Sequence, residues 1–133
     1  MDIVITAWAL DSYLELKHSH AFTDSEYKVT IRPDVILLKT YPQDPKFLNS
    51  KFWSIATDGK GSKVSDGFKM KWHQIGAGKV QMRLPVGLLF AEFYLCEAYI
   101  KTDPKKEKRM MAKFKTHLEL IRRGQFTECG RLS

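Results

Sequence analysis

Residues 67–86 alternate between apolar and basic side chains on both sides of a glycine-bounded turn, and no other stretch constrains the fold as strongly. Before the turn, the apolar and basic sets are Phe68, Met70, Trp72 and Lys69, Lys71, His73. After Gly76-Ala77-Gly78, the apolar and polar sets are Val80, Met82, Leu84, Val86 and Lys79, Gln81, Arg83. A period of two places alternate side chains on opposite faces of a strand. The stretch therefore predicts a hairpin with one apolar face and one basic face.

A turn centred on Ala77 sets the register of this hairpin. The resulting pairs are Ile75 with Lys79, Trp72 with Met82, and Lys71 with Arg83. In this register both apolar sets share one face and both basic sets share the other. A basic face is suited to phosphate chemistry, but it is also a common way to keep an exposed sheet soluble. The pattern alone therefore leaves the function open.

The net charge of +7 lies entirely in the second half of the chain. Residues 1–65 hold eight basic and eight acidic residues, whereas residues 66–133 hold fourteen basic and seven acidic ones. Such asymmetry indicates a polyanionic partner, for which nucleic acid is the first candidate. The alternative is a basic protein with no such partner.

The length and composition predict one domain spanning residues 1–133, with a hydrophobic core of its own. No segment approaches the ~20 apolar residues that cross a bilayer, and Asp2 stands where a signal peptide carries positive charge. Cys96 and Cys129 match neither a disulfide framework nor the spacing of a zinc site. We therefore expect a reduced cytoplasmic protein with no membrane contact, no metal and no cofactor.

The N-terminal third predicts a strand followed by helices. Residues 1–6 are rich in β-branched side chains, and residues 8–17 show helical spacing of apolar side chains. Thr23 and Glu26 match a capping box, and the helix that they start is expected to be interrupted before Pro33 and to continue over residues 34–41. Residues 46–66 are expected to form a long connection that contains a turn at 58–62.

The last third predicts one central strand and one helix. The apolar run 88–101 is expected to be a single buried strand that brings Glu97, Tyr99 and Lys101 towards the basic face of the hairpin. Asp103 and Pro104 predict the start of a helix that stops at Gly124. Its packing stripe is Met110, Met111, Phe114, Leu118 and Ile121. The tail 125–133 is expected to be poorly packed.

This order of elements resembles the RelE/HigB-type toxins of bacterial toxin–antitoxin systems. The similarity is carried by the segments 68–72, 79–84 and 97–102. In that family a paired-lysine strand precedes a strand opened by arginine, and a hydrophobic strand ends in a lysine-rich segment. Here Lys79 takes the place of the arginine. The order of secondary-structure elements is similar over most of the chain, and the sequence motifs are similar over residues 67–109. This resemblance implies an α+β class and a small RelE-like fold, with an antiparallel sheet, N-terminal helices packed on one face and a basic C-terminal helix.

The resemblance also implies an mRNA endonuclease that acts on the ribosome and is held by a cognate antitoxin. Such enzymes cleave RNA through attack of the ribose 2′-hydroxyl, with lysine, arginine and tyrosine in place of a histidine pair. Carried over by position, Lys71 is the candidate base, Lys69 contacts the phosphate, and Arg83 stabilises the transition state. Tyr99 or His73 is the candidate proton donor, because the tyrosine expected after residue 102 has no counterpart.

The remaining cations are candidate RNA contacts. They are Lys79, Lys101, Lys105, Lys106, Arg109 and Lys113. A non-nucleolytic relative remains the alternative, either a ParE-like inhibitor of DNA gyrase or a basic nucleic-acid-binding module. The retention of Lys69, Lys71 and Arg83 on one face favours the nuclease, because gyrase inhibition needs no such cluster.

Overall fold

The computed structural model describes residues 1–132 and has an α+β fold built on a mixed, mostly antiparallel sheet of seven strands. The strands are β1 (Ile3–Thr6), β2 (Trp53–Thr57), β3 (Lys63–Ile75), β4 (Val80–Leu89), β5 (Glu92–Leu95), β6 (Tyr99–Ile100) and β7 (Glu128–Leu132). The helices are α1 (Ala7–His18), α2 (Asp24–Glu26), α3 (Arg32–Ile36) and α4 (Pro104–Arg122). The expected antiparallel sheet is therefore corrected at one place, because β1 pairs with β5 in parallel.

The sheet runs in the order β2-β3-β4-β5-β1-β7, and β6 pairs with β4 beside this path. The N-terminal helical segments pack on one face, where a core cluster includes Ala9, Val35, Met70 and Trp72. Helix α4 packs with a second cluster that includes Phe114. The predicted placement of the N-terminal helices is confirmed, and the basic helix covers the other face.

The predicted break at Pro33 is wrong. The capping box is present, with Thr23 and Glu26 each accepting a hydrogen bond from the backbone of the other. The helical backbone then passes through a π-helical turn, Tyr27–Ile31, in which the Arg32 N–H bonds to the carbonyl of Tyr27 five residues back. Proline has no N–H to donate, and the wider turn accommodates it without ending the helix.

Two predicted segments divide further than expected. The connection 46–66 contains strand β2, which pairs with β3 across the predicted turn at 58–62. The run 88–101 is not one strand, because the chain reverses at Phe90 and Ala91, whose φ angles are 52° and 59°. Two consecutive positive φ values are typical of a type I′ hairpin turn. The turn separates β4 from β5, and β6 follows as a third piece.

The predicted hairpin is confirmed as β3 and β4. Lys71 lies opposite Arg83, as the alternation predicts, and Trp72 lies opposite Met82. The register shifts between Trp72 and Ile75, so Ile75 pairs with Val80 and not with Lys79. The shift lies at the turn and leaves the basic pair in its predicted place.

Helix α4 begins and ends close to its predicted bounds. The Asp103 side chain accepts a hydrogen bond from the Lys106 backbone at 2.9 Å, Pro104 opens the helix, and Gly124 follows it with a φ of +69°. All five residues of the predicted stripe are buried. Within residues 1–132, no helix combines the length and apolar character needed to cross a membrane.

A pair of glycines lets α4 lie close to the sheet. Gly67 and Gly87 face each other across β3 and β4. A β-carbon at Gly67 would stand 2.7 Å from Phe114 Cε2, and one at Gly87 would stand 2.4 Å from Leu118 Cδ2. Both distances are shorter than a carbon–carbon contact allows. A larger residue at either position would force the side chain above it, or the helix itself, to shift.

The expectation of a poorly packed tail is wrong for residues 128–132. These residues form β7, which pairs antiparallel with β1 at the edge of the sheet. Arg131 forms ion pairs with Asp2 at 3.0 Å, with Glu128 at 2.8 Å, and with Glu92. Ser133 lies outside the described residues.

Candidate active site

The basic residues of the hairpin come together on the sheet face that α4 covers. Lys69 and Lys71 lie two residues apart on β3, and Lys71 faces Arg83 on β4. Tyr99 on β6 pairs with Arg83 from the other side of β4. Three strands thus bring four predicted site residues together, as the alternation along the strands predicts.

Glu107, which the sequence analysis does not select, lies among them. Its Oε1 accepts a hydrogen bond from Tyr99 at 2.6 Å and forms an ion pair with Lys69 at 3.0 Å. The Lys69 and Glu107 side chains are 14% and 23% exposed, so water screens the pair only partly. Glu107 Oε2 is buried and has no hydrogen-bond partner in the described part of the chain. The first turn of α4 therefore contributes a carboxylate to a site otherwise built from cations.

The pKa values of this group fix its protonation state. Burial raises the pKa of Glu107, but the hydrogen bonds from Tyr99 and Lys69 outweigh it, so the net pKa lies below the usual value of 4.5. Burial and the bond to Glu107 raise the pKa of Tyr99 far above its usual range. Glu107 is therefore a carboxylate at neutral pH. The buried Tyr99 hydroxyl stays protonated and donates a hydrogen bond to that carboxylate.

Lys71 has a different environment from Lys69. Its Nζ donates to the Ser50 carbonyl at 2.9 Å, and it pairs with no carboxylate in residues 1–132. Burial, followed by repulsion from Lys69, Arg83 and Lys101, lowers the pKa of Lys71, and Glu107 opposes this only weakly. A lowered pKa gives Lys71 a larger neutral fraction near pH 7 than an exposed lysine has, which a general base requires.

Arg83 is buried, with 3% of its surface exposed. Its Nη1 donates to the Met82 carbonyl at 3.1 Å and its Nη2 donates to Gln81 Oε1 at 3.0 Å. Burial lowers the pKa of Arg83, but an arginine remains a cation at neutral pH. Arg83 therefore acts on the site through its charge, because its guanidinium is turned towards neighbouring acceptors rather than presented for two-pronged contact with a phosphate.

The two other hairpin candidates have partners outside this group. His73 is exposed, and its Nε2 contacts the Lys51 carbonyl. Lys79 is exposed at the turn, where its backbone bonds to Ile75. Ile75 is four residues, or roughly 13 Å, along β3 from Lys71. Neither His73 nor Lys79 shares a hydrogen bond with the Lys69–Glu107–Tyr99 group.

A cleft of about 360 Å³ opens beside Glu107 at the start of α4. Lys69, Lys101 and Lys108 are its cationic lining residues. Lys108, which the sequence analysis does not select, packs over Gly59, where an added β-carbon would stand 2.8 Å from its Cγ. Asp58, Asp103 and Glu107 line the same cleft, so three carboxylates balance the charge of the three lysines. An anionic ligand would therefore be bound by direct contact with the lysines and not by a net positive charge of the cleft.

The predicted RNA contacts divide between this cleft and the opposite side of α4. Lys101, Lys105 and Arg109 are exposed near the helix start and have no ion-pair partner among the described residues. Lys106 lines a separate cleft against α1, and Lys113 on the same side pairs with Glu97 at 3.1 Å. The six predicted contacts therefore do not form one continuous surface.

No protein-family model matches the chain, and no curated protein matches it. In the described part of the chain, no group of three or more histidine, cysteine, aspartate or glutamate side chains could hold a metal ion. The reactive side chains that the described site brings together are two lysines, an arginine, a tyrosine and a carboxylate.

Proposed function

We propose that this chain is a RelE/HigB-like toxin, an endoribonuclease that cleaves mRNA on the ribosome and is held by a cognate antitoxin in the cytoplasm. The observation that carries the proposal is Lys71, a half-buried lysine with a lowered pKa, surrounded by Lys69, Arg83 and Lys101. The strand and helix order and the basic α4 support a RelE-like arrangement of the α+β fold.

The proposed reaction begins with Lys71 in its neutral form. Its amine takes the proton of the ribose 2′-hydroxyl, and the 2′-oxygen then attacks the adjacent phosphorus. The bond from phosphorus to the 2′-oxygen forms as the bond to the 5′-oxygen breaks, which leaves a 2′,3′-cyclic phosphate and a 5′-hydroxyl. Lys69, Lys101 and the internal charge of Arg83 stabilise the negative charge that develops on the phosphate.

A non-nucleolytic basic protein, such as a ParE-like gyrase inhibitor or a nucleic-acid-binding module, is the second candidate. The observation in its favour is that two predicted catalytic cations are engaged within the protein. Arg83 donates to neighbouring acceptors of the hairpin, and Lys69 pairs with Glu107. In that case the exposed cations Lys101, Lys105 and Arg109 would bind a nucleic acid or a protein partner without cleavage.

Replacement of Lys71 by arginine tests the nuclease. Arginine keeps the positive charge but cannot become neutral near pH 7, so it can bind phosphate without acting as a base. We expect induced wild-type protein to produce codon-phased 5′ ends in translated mRNAs, and Lys71→Arg to abolish them while RNA binding persists. A general base contributes about 10²- to 10⁴-fold, which sets the expected loss in rate.

Lys63→Ala is the matched control, because Lys63 is an exposed lysine on the same strand, roughly 26 Å from Lys71. We expect it to cleave like the wild type. Growth arrest with intact mRNA and trapped gyrase–DNA complexes would establish the second candidate in place of the first. A wild-type protein that causes no growth arrest would contradict both toxin functions.

A further inference from the structure

The proposed cleavage leaves one task unassigned, which is protonation of the leaving 5′-oxygen. The two candidates from the sequence are poorly placed for it. The Tyr99 hydroxyl donates a hydrogen bond to Glu107 at 2.6 Å, and the residue is 4% exposed. His73 Nε2 is engaged with the Lys51 carbonyl, and His73 makes no contact with the Lys69–Glu107 pair. The cleft itself offers another donor, the ammonium of Lys69.

Lys69 and Lys71 are the same residue type on the same strand face, with α-carbons roughly 7 Å apart. Their surroundings differ by one carboxylate. Glu107 lies 3.0 Å from the Lys69 ammonium, whereas Lys71 donates to the neutral Ser50 carbonyl. Lys69 is therefore one half of an ion pair at the edge of the cleft, whereas the Lys71 amine has no carboxylate partner among the described residues. The two lysines are thus held by different partners and can have different roles in one reaction.

The position of Glu107 is fixed by its hydrogen-bond partners and by the helix that carries it. Its Oε1 receives the Tyr99 hydroxyl as well as the Lys69 ammonium. Its backbone belongs to the first turns of α4, whose start is fixed by the Asp103 cap. Glu107 therefore orients Lys69 from a rigid element rather than from a loop.

The other charged groups around the cleft do not replace Glu107. Asp58 accepts backbone hydrogen bonds within its own turn and lies 3.7 Å from Lys115. Asp103 caps the helix through the Lys106 backbone. Lys101 and Lys108 add positive charge to the lining. Among the described residues, Glu107 is the carboxylate that pairs with Lys69.

We propose that Lys69 is the general acid of the cleavage and that Glu107, held by Tyr99, is the residue that positions it. This inference rests on the proposed ribonuclease function. As Lys71 accepts the 2′ proton and the bond from phosphorus to the 5′-oxygen breaks, Lys69 gives a proton to that oxygen. Lys71 ends the step with one proton more and Lys69 with one fewer, and exchange with water restores both.

A substrate with sulfur in place of the leaving 5′-oxygen tests the assignment. Thiols are far more acidic than alcohols, so a thiolate leaves without a proton donor. We expect Lys69→Ala to slow single-turnover cleavage of the ordinary ribosome-bound mRNA by about 10²- to 10⁴-fold. Glu107→Gln, which keeps an oxygen for Tyr99, should slow it by about 10²-fold through misplacement of the donor. On the sulfur substrate, Glu107→Gln should cut within a few fold of the wild type. Lys69→Ala should lose clearly less on the sulfur substrate than on the ordinary one, and what remains is the lost stabilisation of the phosphate charge. Lys71→Arg should fail on both substrates.

Glu119→Gln is the matched control, because it makes the same change on the same helix about 18 Å away and should behave like the wild type. Tyr99→Phe is the second variant in case Glu107→Gln fails to fold. It should also slow cleavage of the ordinary mRNA, and this loss in rate should disappear with the sulfur substrate. Equal losses on the two substrates would overturn the assignment of Lys69 and leave the nuclease intact. A wild-type protein that cuts neither substrate would overturn the proposed function itself, and this inference with it.

Discussion

Replacement of Gly67 by alanine tests whether α4 depends on the glycine pair for its position on the sheet. The new β-carbon would lie 2.7 Å from Phe114 Cε2 and 3.0 Å from Val64 Cγ1. Phe114 is 1% exposed, so its ring has no open space into which to turn. Because carbon atoms pack at about 3.5–4.0 Å, the ring or the helix must move by about 1 Å.

Overpacking of this kind costs about 1–3 kcal/mol. Alanine also restricts the unfolded chain, which returns about 0.4–1 kcal/mol. We therefore expect a net loss of about 1–2 kcal/mol in the free energy of unfolding, measured by urea denaturation. For a chain of this length this corresponds to a fall of about 4–8 °C in Tm. Movement of α4 also draws Glu107 away from Lys69, so cleavage should fall as well.

Gly130→Ala is the control for this prediction. Gly130 also lies in a strand, but its added β-carbon would meet Ile5 Cδ1 at 3.6 Å, which is an ordinary contact. We expect its free energy of unfolding to stay within about 0.5 kcal/mol of the wild type. The double variant Gly67→Ala/Phe114→Leu should lose less than the sum of its single variants, because leucine removes the ring that clashes. If Gly67→Ala matches Gly130→Ala, the close-approach argument is refuted.

Two further predictions concern buried and half-buried charges. Asp34 is 6% exposed and accepts hydrogen bonds from Trp72 Nε1 at 3.0 Å and Lys46 Nζ at 2.7 Å. Asp34→Ala should therefore lower the free energy of unfolding, measured by urea denaturation, by about 2–3 kcal/mol, and Asp34→Asn, which keeps an oxygen for Trp72, by clearly less. Equal losses for the two variants would contradict the role of the bond to Trp72. The lowered pKa of Lys71 means that the unfolded chain holds this proton more tightly between that pKa and 10.5. Lys71 should therefore increase the free energy of unfolding as pH rises through this window, and Lys71→Met should remove that increase. If the free energy of unfolding has the same pH dependence in Lys71→Met as in the wild type, the pKa of Lys71 is not lowered.

The elements that could be predicted are those whose signals are local. Alternation over 67–86 fixes which side chains share a face, and the pairing of Lys71 with Arg83 follows from it. Asp103 and Gly124 bound α4 because a cap and a left-handed glycine act on the residues beside them. In both cases the determining interaction lies within a few residues or across one turn.

The elements that were missed lack such signals. Phe90 and Ala91 adopt positive φ without glycine or asparagine, so nothing in the run 88–101 marks the turn between β4 and β5. Phe90 is 68% exposed there, although an uninterrupted central strand would bury it. Pro33 lacks the N–H that a regular α-helix would use, but the π-helical turn before it lets the helix continue without that hydrogen bond. These outcomes depend on packing between elements distant in sequence.

The hairpin half of the site follows from the sequence, because period two is enough to collect Lys69, Lys71 and Arg83 on one face. The solvent exposure of each of these side chains cannot be predicted from the alternation. Pairing of β6 with β4 places Tyr99 beside Arg83, and both are buried. The alternation predicts an exposed basic face, whereas α4 and β6 leave only part of it open. The charge of Arg83 is retained in the site, but its donors are not available for two-pronged contact with a substrate.

Glu107 could have been found from the spacing of α4. It lies three and four residues before Met110 and Met111, which puts it on the buried stripe and not on the charged outer side of the helix. A carboxylate at a stripe position must meet a cation when the facing sheet is basic, because a buried charge left unpaired is costly. The same rule distinguishes it from Glu119, which lies off the stripe, is exposed and pairs with Arg122 and Arg123 on its own helix. The ion pair with Lys69 is thus a consequence of how α4 packs, and it makes the two lysines of one strand chemically different.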